Sequence, residues 1–399
     1  MAASRTYLDH NATAPLRPEA RVAMLAALDV VGNASSVHTE GRRARALVED
    51  AREHVAALVG AKPEEVVFTS GATEANATVI AGRAWGSIVT SCIEHPSVLD
   101  ALPPIHSLLL AADSDGRAAI DDDLVPLLSD DTRLPGPVLV SLQLVNGETG
   151  VIQDVAELAR MCRRLRPDAV IHTDAVQAAG RLAVDFGAVA VDAMSISSHK
   201  LGGPQGVGAL ILRDGLQLAP LVRGGGHERG RRSGTESVAA IAGFGAAAAA
   251  ASRAMAEDAD RLGALRRALE EAVVAITPNA VIVGSRQPRI ANTTCIALPG
   301  ARAETLVIQL DMAGLAISAG SACSSGKVGP NRTLVAMGVD PALARGAIRV
   351  SLGPANTAQN IARFIAAWAA IHSAQAGRTH HRAAVGAISR PIAHVKAGE

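Results

Sequence analysis

"VIHTDAVQAAG", residues 170–180, decides the fold. A run of strand length ends in Thr173 and Asp174, and the chain then turns through small residues, with Gln177 three positions on. The same grammar repeats on both sides. Runs at 66–70, 88–91, 138–142, 169–173, 193–197 and 207–212 have strand length, and helical patterns at 73–84, 95–102, 121–129 and 153–165 alternate with them. Upstream, Ala44, Leu47, Val48, Ala51, Val55, Leu58 and Val59 share one face of a helix over 40–59. Strands alternating with helices predict a mostly parallel sheet covered on both faces. The alternation stops near 235, where an Ala/Glu/Arg-rich helix runs over 236–276, and a smaller α+β set follows over 279–376. The expected divisions are an N-terminal segment 1–14, a large domain 15–255, a small domain 256–376 and a tail 377–399. The tail lacks a sustained period and is expected to be mobile.

Composition narrows the function. Aromatics make up 2% of the chain, too few for a base-stacking surface. Lys+Arg and Asp+Glu each total 38, so no general attraction to nucleic acid or anionic membranes is expected. No stretch of about 18 apolar residues is free of charges, and the first residues do not read as a signal peptide. Cys92, Cys162, Cys295 and Cys323 lie far apart and form no CxxC pair, which disfavours a disulfide framework or a structural zinc site and suits a reducing cytoplasm.

In an open α/β sheet, ligands bind where strands end and helices begin. Five polar turns follow predicted strands. Ser70-Gly71-Ala72-Thr73-Glu74 offers backbone N–H groups and a hydroxyl at a helix start, a site for phosphate or simply a capped helix. Glu94-His95-Pro96 places His95 in the crevice or at a cap, and Asn146-Gly147-Glu148-Thr149-Gly150 reads alone as a turn. Asp174 would sit at the sheet's carboxyl edge, where a carboxylate is costly without a cation. In "SISSHKLGGPQGVGAL", 195–210, Lys200 is set between a strand and glycines. Its glycine run opens no helix, which argues against a nucleotide loop. An anion cradle, a carboxylate, a lysine and a histidine on one edge suit pyridoxal phosphate (PLP), which needs donors for its phosphate, a carboxylate for its ring nitrogen and an amine for its aldehyde.

Ten stretches in order carry a resemblance: "YLDHNATAPL" (7–16), "GNASSVH" (32–38), "VVFTSGATEAN" (66–76), "EHPSV" (94–98), "VNGETGVIQD" (145–154), "HTDAVQAAG" (172–180), "SSHKLGGPQGVGAL" (197–210), "GGGHERGRRSGT" (224–235), "SAGSACSSG" (318–326) and "IRVSLG" (348–353). The chain resembles the NifS/IscS-type cysteine desulfurases. The resemblance implies the PLP-dependent transferase (aspartate aminotransferase-like) fold, with a mainly parallel large domain and a smaller α+β domain. It implies that Lys200 forms the Schiff base with PLP, Asp174 pairs with the ring nitrogen, Gln177 bonds the ring hydroxyl, and His95 stacks on the ring as acid/base. Ala72, Thr73, Ser197 and His199 would hold the phosphate, with Thr235 reaching the phosphate of a partner subunit in a homodimer. Asn146 would serve both cofactor and substrate, and Arg349 would bind the substrate carboxylate. Cys323 would be the nucleophile that takes sulfur from L-cysteine, giving L-alanine and an enzyme persulfide. The sulfur would pass to an iron–sulfur scaffold or another acceptor protein. No resident metal is implied, beyond a transient contact of Cys323 with an iron–sulfur cluster.

A thiol among Ser318, Gly320, Ser321, Ala322, Ser324, Ser325 and Gly326 sits where no core can be built, which suits a residue that attacks in one place and delivers in another. The other three cysteines read as small buried thiols. The alternatives are a selenocysteine lyase or another class V PLP enzyme, or a non-catalytic partner in cluster assembly. Intact Lys200, Asp174 and Cys323 together argue against the last. His10, Gly202 and Gln205 depart from the family's usual residues and are expected near the site but off its chemistry.

Overall fold

The computed structural model describes residues 5–121, 123–319 and 331–388. The strands are β1 (Thr6–Tyr7), β2 (Val66–Thr69), β3 (Ser87–Ser91), β4 (His106–Leu110), β5 (Val138–Ser141), β6 (Val170–Asp174), β7 (Ala193–Ser197), β8 (Gly208–Leu212), β9 (Val281–Val283), β10 (Thr293–Ala297), β11 (Leu315–Ala316) and β12 (Ala347–Ser351). A seven-stranded sheet has the order β2-β8-β7-β6-β5-β3-β4. Its strands alternate between two cores, as a doubly covered sheet requires. Val138, Val140, Ile171, Met194 and Ile196 face one core, and Leu139, Val170 and Ala193 face the other.

Within this sheet β8 runs antiparallel to both β7 and β2, a departure from the purely alternating pattern. The reason is connection length. The short loop after β7 holds only the turn Ser198–Lys200 before β8 begins, too little chain for a parallel crossover. The chain reverses there, and Lys200 sits in the reversal. Elements outside the sequence expectations include β4, which follows Pro103 and Pro104, and the helix Pro18–Leu28, whose Val22, Leu25 and Leu28 are exposed and so give no core-facing stripe.

The helix Val238–Ile276 joins two cores. Ile241, Phe244, Ala247, Ala248 and Ala251 pack under the large sheet, and Leu262, Leu269 and Val273 pack in a second core. The change of core falls between Ala251 and Leu262 of one continuous helix. Its length and apolar composition alone would let it cross a membrane. Its buried residues instead lie in the interior, and Gly245 lets it approach the helix Thr39–Leu58 closely. The second core also takes Leu8, because β1 pairs with β11. The N-terminal segment is therefore built into the small domain, whose antiparallel sheet has the order β12-β10-β9. The last helix, Ala358–Ile388, runs past the expected boundary at 377. Its first half carries an apolar stripe, Ile361, Phe364 and Trp368, buried in the second core, and the Ala-rich sequence beyond it continues as helix. Residues 389–399 lie outside the described residues.

A Cβ built on Gly245 would lie 2.5 Å from Ala51 Cα, which is backbone and cannot swing away. Gly245→Val should lower stability by about 2 kcal/mol or more, read as a drop in urea midpoint at unchanged m value.

Candidate active site

The carboxyl ends of the sheet strands open into a cavity of about 590 Å³. Ala72, Thr73, His95, Asp174, Gln177, Ser197, His199 and Lys200 all line it. The strand ends explain the convergence: β2 leads into Gly71, β3 into His95, β6 ends in Asp174 and β7 in Ser197.

Asp174 is 7% exposed. Among the described residues its carboxylate meets two donors, both neutral: Asn76 Nδ2 at 2.8 Å and Val176 N–H at 3.0 Å. A buried carboxylate facing a cavity without a cation against it is a site for a cationic ligand group. Asn76 also donates to Ser97 Oγ at 2.9 Å, which in turn lies 2.8 Å from His95 Nδ1. His95 does cap its own short helix, accepting from Ser97 N–H, and its ring lines the cavity as well. With Nδ1 accepting, the neutral ring carries its proton on Nε2. Beside it, burial and the Asp174 charge push the Glu94 carboxyl well above its usual range.

The expected phosphate cradle is the N-terminus of the helix Ala72–Ala81. Its cap residue is Gly71, so no side chain satisfies the first N–H groups, and a Cβ built on Gly71 would meet nothing within 4 Å. Gly208 makes room behind it, since a Cβ there would come within 2.8 Å of Gly71 Cα. Open N–H groups at the positive end of a helix bind phosphate. His199 stands near, its Nδ1 3.1 Å from Thr13 Oγ1, and burial lowers its pKa to about 4, so it is neutral at pH 7.

Lys200 Nζ donates to Asn11 O at 2.6 Å and Ala12 O at 2.8 Å. Arg181 binds the same segment from behind, donating to His10 O, Asn11 Oδ1, Gln177 Oε1 and the Lys200 carbonyl. Burial first, then the Arg181 and Arg349 charges, lower the Lys200 pKa to about 8. Near neutrality most of the amine is still protonated, but far more of it is free than for an ordinary lysine, as an attacking amine requires.

Three expected residues stand off the cavity wall. Asn146 is spent on its own turn: Oδ1 accepts from Glu148 N–H and Thr149 N–H, and Nδ2 donates to Ile93 O. Arg349 lies behind Gly147, bound to Asp9 and Glu148, rather than on the cavity wall. Thr235 is exposed and off the wall, whereas Gln205, expected off the chemistry, lines it. Cys323 lies outside the described residues. Ser318 and Asn331, on either side of that stretch, both reach the carboxylates around Arg349. Asn76, Ser97, Arg181 and Asn11 were missed by the sequence reading. Asn76 and Asn11 stand inside motifs it quoted, but their roles depend on contacts 98 and 189 positions away, which no spacing reveals.

The model of the class V aminotransferase family matches residues 6–364. The chain belongs to that family. Its curated relatives include the IscS-like cysteine desulfurase of Mycobacterium tuberculosis, 40% identical over 87% of this chain and 91% of that one. The cysteine desulfurase NifS of Azotobacter vinelandii is 37% identical over 90% of each. The solved NifS-like protein of Rickettsia africae superposes with a TM-score of 0.85 at 34% identity, covering 92% of this chain and 99% of that one. These place the class V member in the NifS/IscS cysteine desulfurase branch, whose cofactor is PLP. The site suits that cofactor on its own evidence: the uncompensated Asp174, the open N–H groups beyond Gly71 and the depressed Lys200.

Lys200 is protonated below about pH 8 and free to attack above it. The apoprotein should therefore capture added PLP at a rate that rises with pH and is half-maximal near 8. Stopped-flow absorbance measures this, and a half-point at the ordinary lysine value would contradict the environment described. Borohydride should then fix the phosphopyridoxyl group on the Lys200 peptide.

Proposed function

We propose that this protein is a PLP-dependent cysteine desulfurase that converts L-cysteine and a thiol of its own to L-alanine and an enzyme persulfide. The observation that carries the reading is the convergence of Lys200, Asp174, His95 and the open N-terminus at Ala72 on one cavity. When bound, PLP supplies an electron sink that draws charge from the substrate and leaves its sulfur open to attack. Ala72 and Thr73 N–H groups, with Ser197 and His199, hold the phosphate, and Asp174 holds a proton at the ring nitrogen. Asn76 fixes that carboxylate and, through Ser97, the orientation of His95. His95 moves a proton at Nε2. Lys200 anchors the cofactor, held in place by Asn11 O and Ala12 O.

Cys323 supplies the attacking thiol. The carbon–sulfur bond of cysteine breaks, a sulfur–sulfur bond forms on Cys323, and the thiol proton balances the alanine product. Cys162 and Cys295 are unsuited: each is buried, and burial raises its pKa to about 12. Cys323→Ser should keep PLP yet form neither persulfide nor alanine. Mass spectrometry after brief exposure to cysteine should find the added sulfur on the Cys323 peptide, and sulfur on another cysteine would overturn the assignment.

The reading extends to a homodimer acting in a reducing cytoplasm, with sulfur passed to an iron–sulfur scaffold or another acceptor protein. Support for the dimer comes from Val22, Leu25, Leu28, Val31 and Val37, exposed along one stretch, and from Leu221 and Val222 in the segment leading to Thr235. Exposed apolar groups in this number call for a covering surface, and Thr235, off its own cavity, is free to serve a second copy's phosphate. Light scattering on the holoprotein should give twice the chain mass, and an active monomer would refute the shared site.

A further inference from the structure

Arg349 is 8% exposed, and its guanidinium is already engaged. One Nη donates to Glu148 Oε1 at 2.7 Å and to Gly147 O at 3.3 Å, and the other donates to Asp9 Oδ1 at 3.1 Å. Nε is buried with no partner among the described residues. Each carboxylate is itself held by a second donor: Ser318 Oγ reaches Asp9 Oδ2 at 2.8 Å, and Asn331 Nδ2 reaches Glu148 Oε2 at 3.3 Å. One buried cation thus faces two anchored carboxylates. In the desulfurase reading, on which this inference rests, Arg349 receives the α-carboxylate of the substrate. A third carboxylate would find only Nε and the one N–H left on the Asp9-bound Nη, on a cation whose charge two carboxylates already share.

We propose that Asp9 and Glu148 are internal competitors for Arg349, which hold the guanidinium compensated and oriented between turnovers and set the enzyme's affinity for the substrate carboxylate. Without them a lone buried guanidinium would be costly. With them, every substrate carboxylate meets a cation whose charge is already shared and two anions that repel it, so observed affinity is the difference of strong opposing interactions. Asp9, with the longer bond, is the partner that yields first. Both residues act through Arg349 and are positioning residues.

The test uses PLP-loaded protein and L-alanine, which keeps the α-carboxylate but has no sulfur to turn over. Asp9→Asn and Glu148→Gln preserve shape and remove one competing charge each. Calorimetric titration should show alanine bound on the order of tenfold more tightly by either variant than by the unaltered protein. Alanine should also raise the variants' melting temperatures more than that of the unaltered protein. Alaninamide, which lacks the carboxylate, should bind all three alike. For cysteine, KM should fall while kcat changes less. If Asp9→Asn does not fold, Glu148→Gln decides alone. Alanine binding by the unaltered protein with no gain in the variants overturns the proposal. No alanine binding by the unaltered protein overturns the desulfurase reading, and this inference with it.

Discussion

Asp174 is a buried carboxylate at the carboxyl edge of a mostly parallel sheet, with only neutral donors against it among the described residues. Such a group is expensive to bury, and the surroundings are organised around that cost. Asn76, on the helix behind β2, takes one oxygen, and the turn at Val176 takes the other. Asn76 also ties in Ser97 and so His95. One amide therefore joins the carboxylate proposed to meet a ring nitrogen to the imidazole proposed to move protons, across two strand ends. The charge is left for a ligand to answer, and PLP is the ligand that answers it.

The second dependence is on chain brought from far away. The N-terminal residues pass beneath the cavity, and the backbone carbonyls of Asn11 and Ala12 position the Lys200 amine. They stay there because β1 pairs with β11 and Asn11 is stitched to Thr293 and Ser351 in the small sheet. Lys200 belongs to the large domain, but the atoms that hold its amine are anchored in the small one. Arg181 closes this arrangement from below and contributes to the low Lys200 pKa.

The loop that ends at Thr235 is fastened by a buried ion pair. Glu228 accepts from Arg52 at 2.8 and 3.0 Å and from Phe68 N–H at 3.0 Å, and the Arg52 guanidinium stacks 4.8 Å from the Phe68 ring centroid. Arg232 pairs with Glu74 in the first turn of the phosphate helix. Both tethers run from this loop to β2 and its following helix, so the segment with a proposed role toward a second copy is held in register with the cradle of its own protomer. A buried pair costs desolvation, and it is the bidentate geometry with a third donor that makes this one favourable.

The local grammar of the chain was enough to determine the doubly covered sheet, because alternation of strand-length runs with helical periods is a property of neighbouring residues. It also determined that Ala72, His95, Asp174 and Lys200 share an edge, since each follows a strand end. Cys323 was singled out by composition alone. Only the tertiary structure decided the reversal of β8, the passage of one helix through two cores and the incorporation of the N-terminal segment into the small domain, because these depend on which distant surfaces bury one another. The partners of the site were decided in the same way. Asn146 holds its own turn, and Arg349, expected to meet a substrate carboxylate, is matched by Asp9 from 340 positions earlier. A charge in a sequence declares its sign, and only the fold declares what neutralises it.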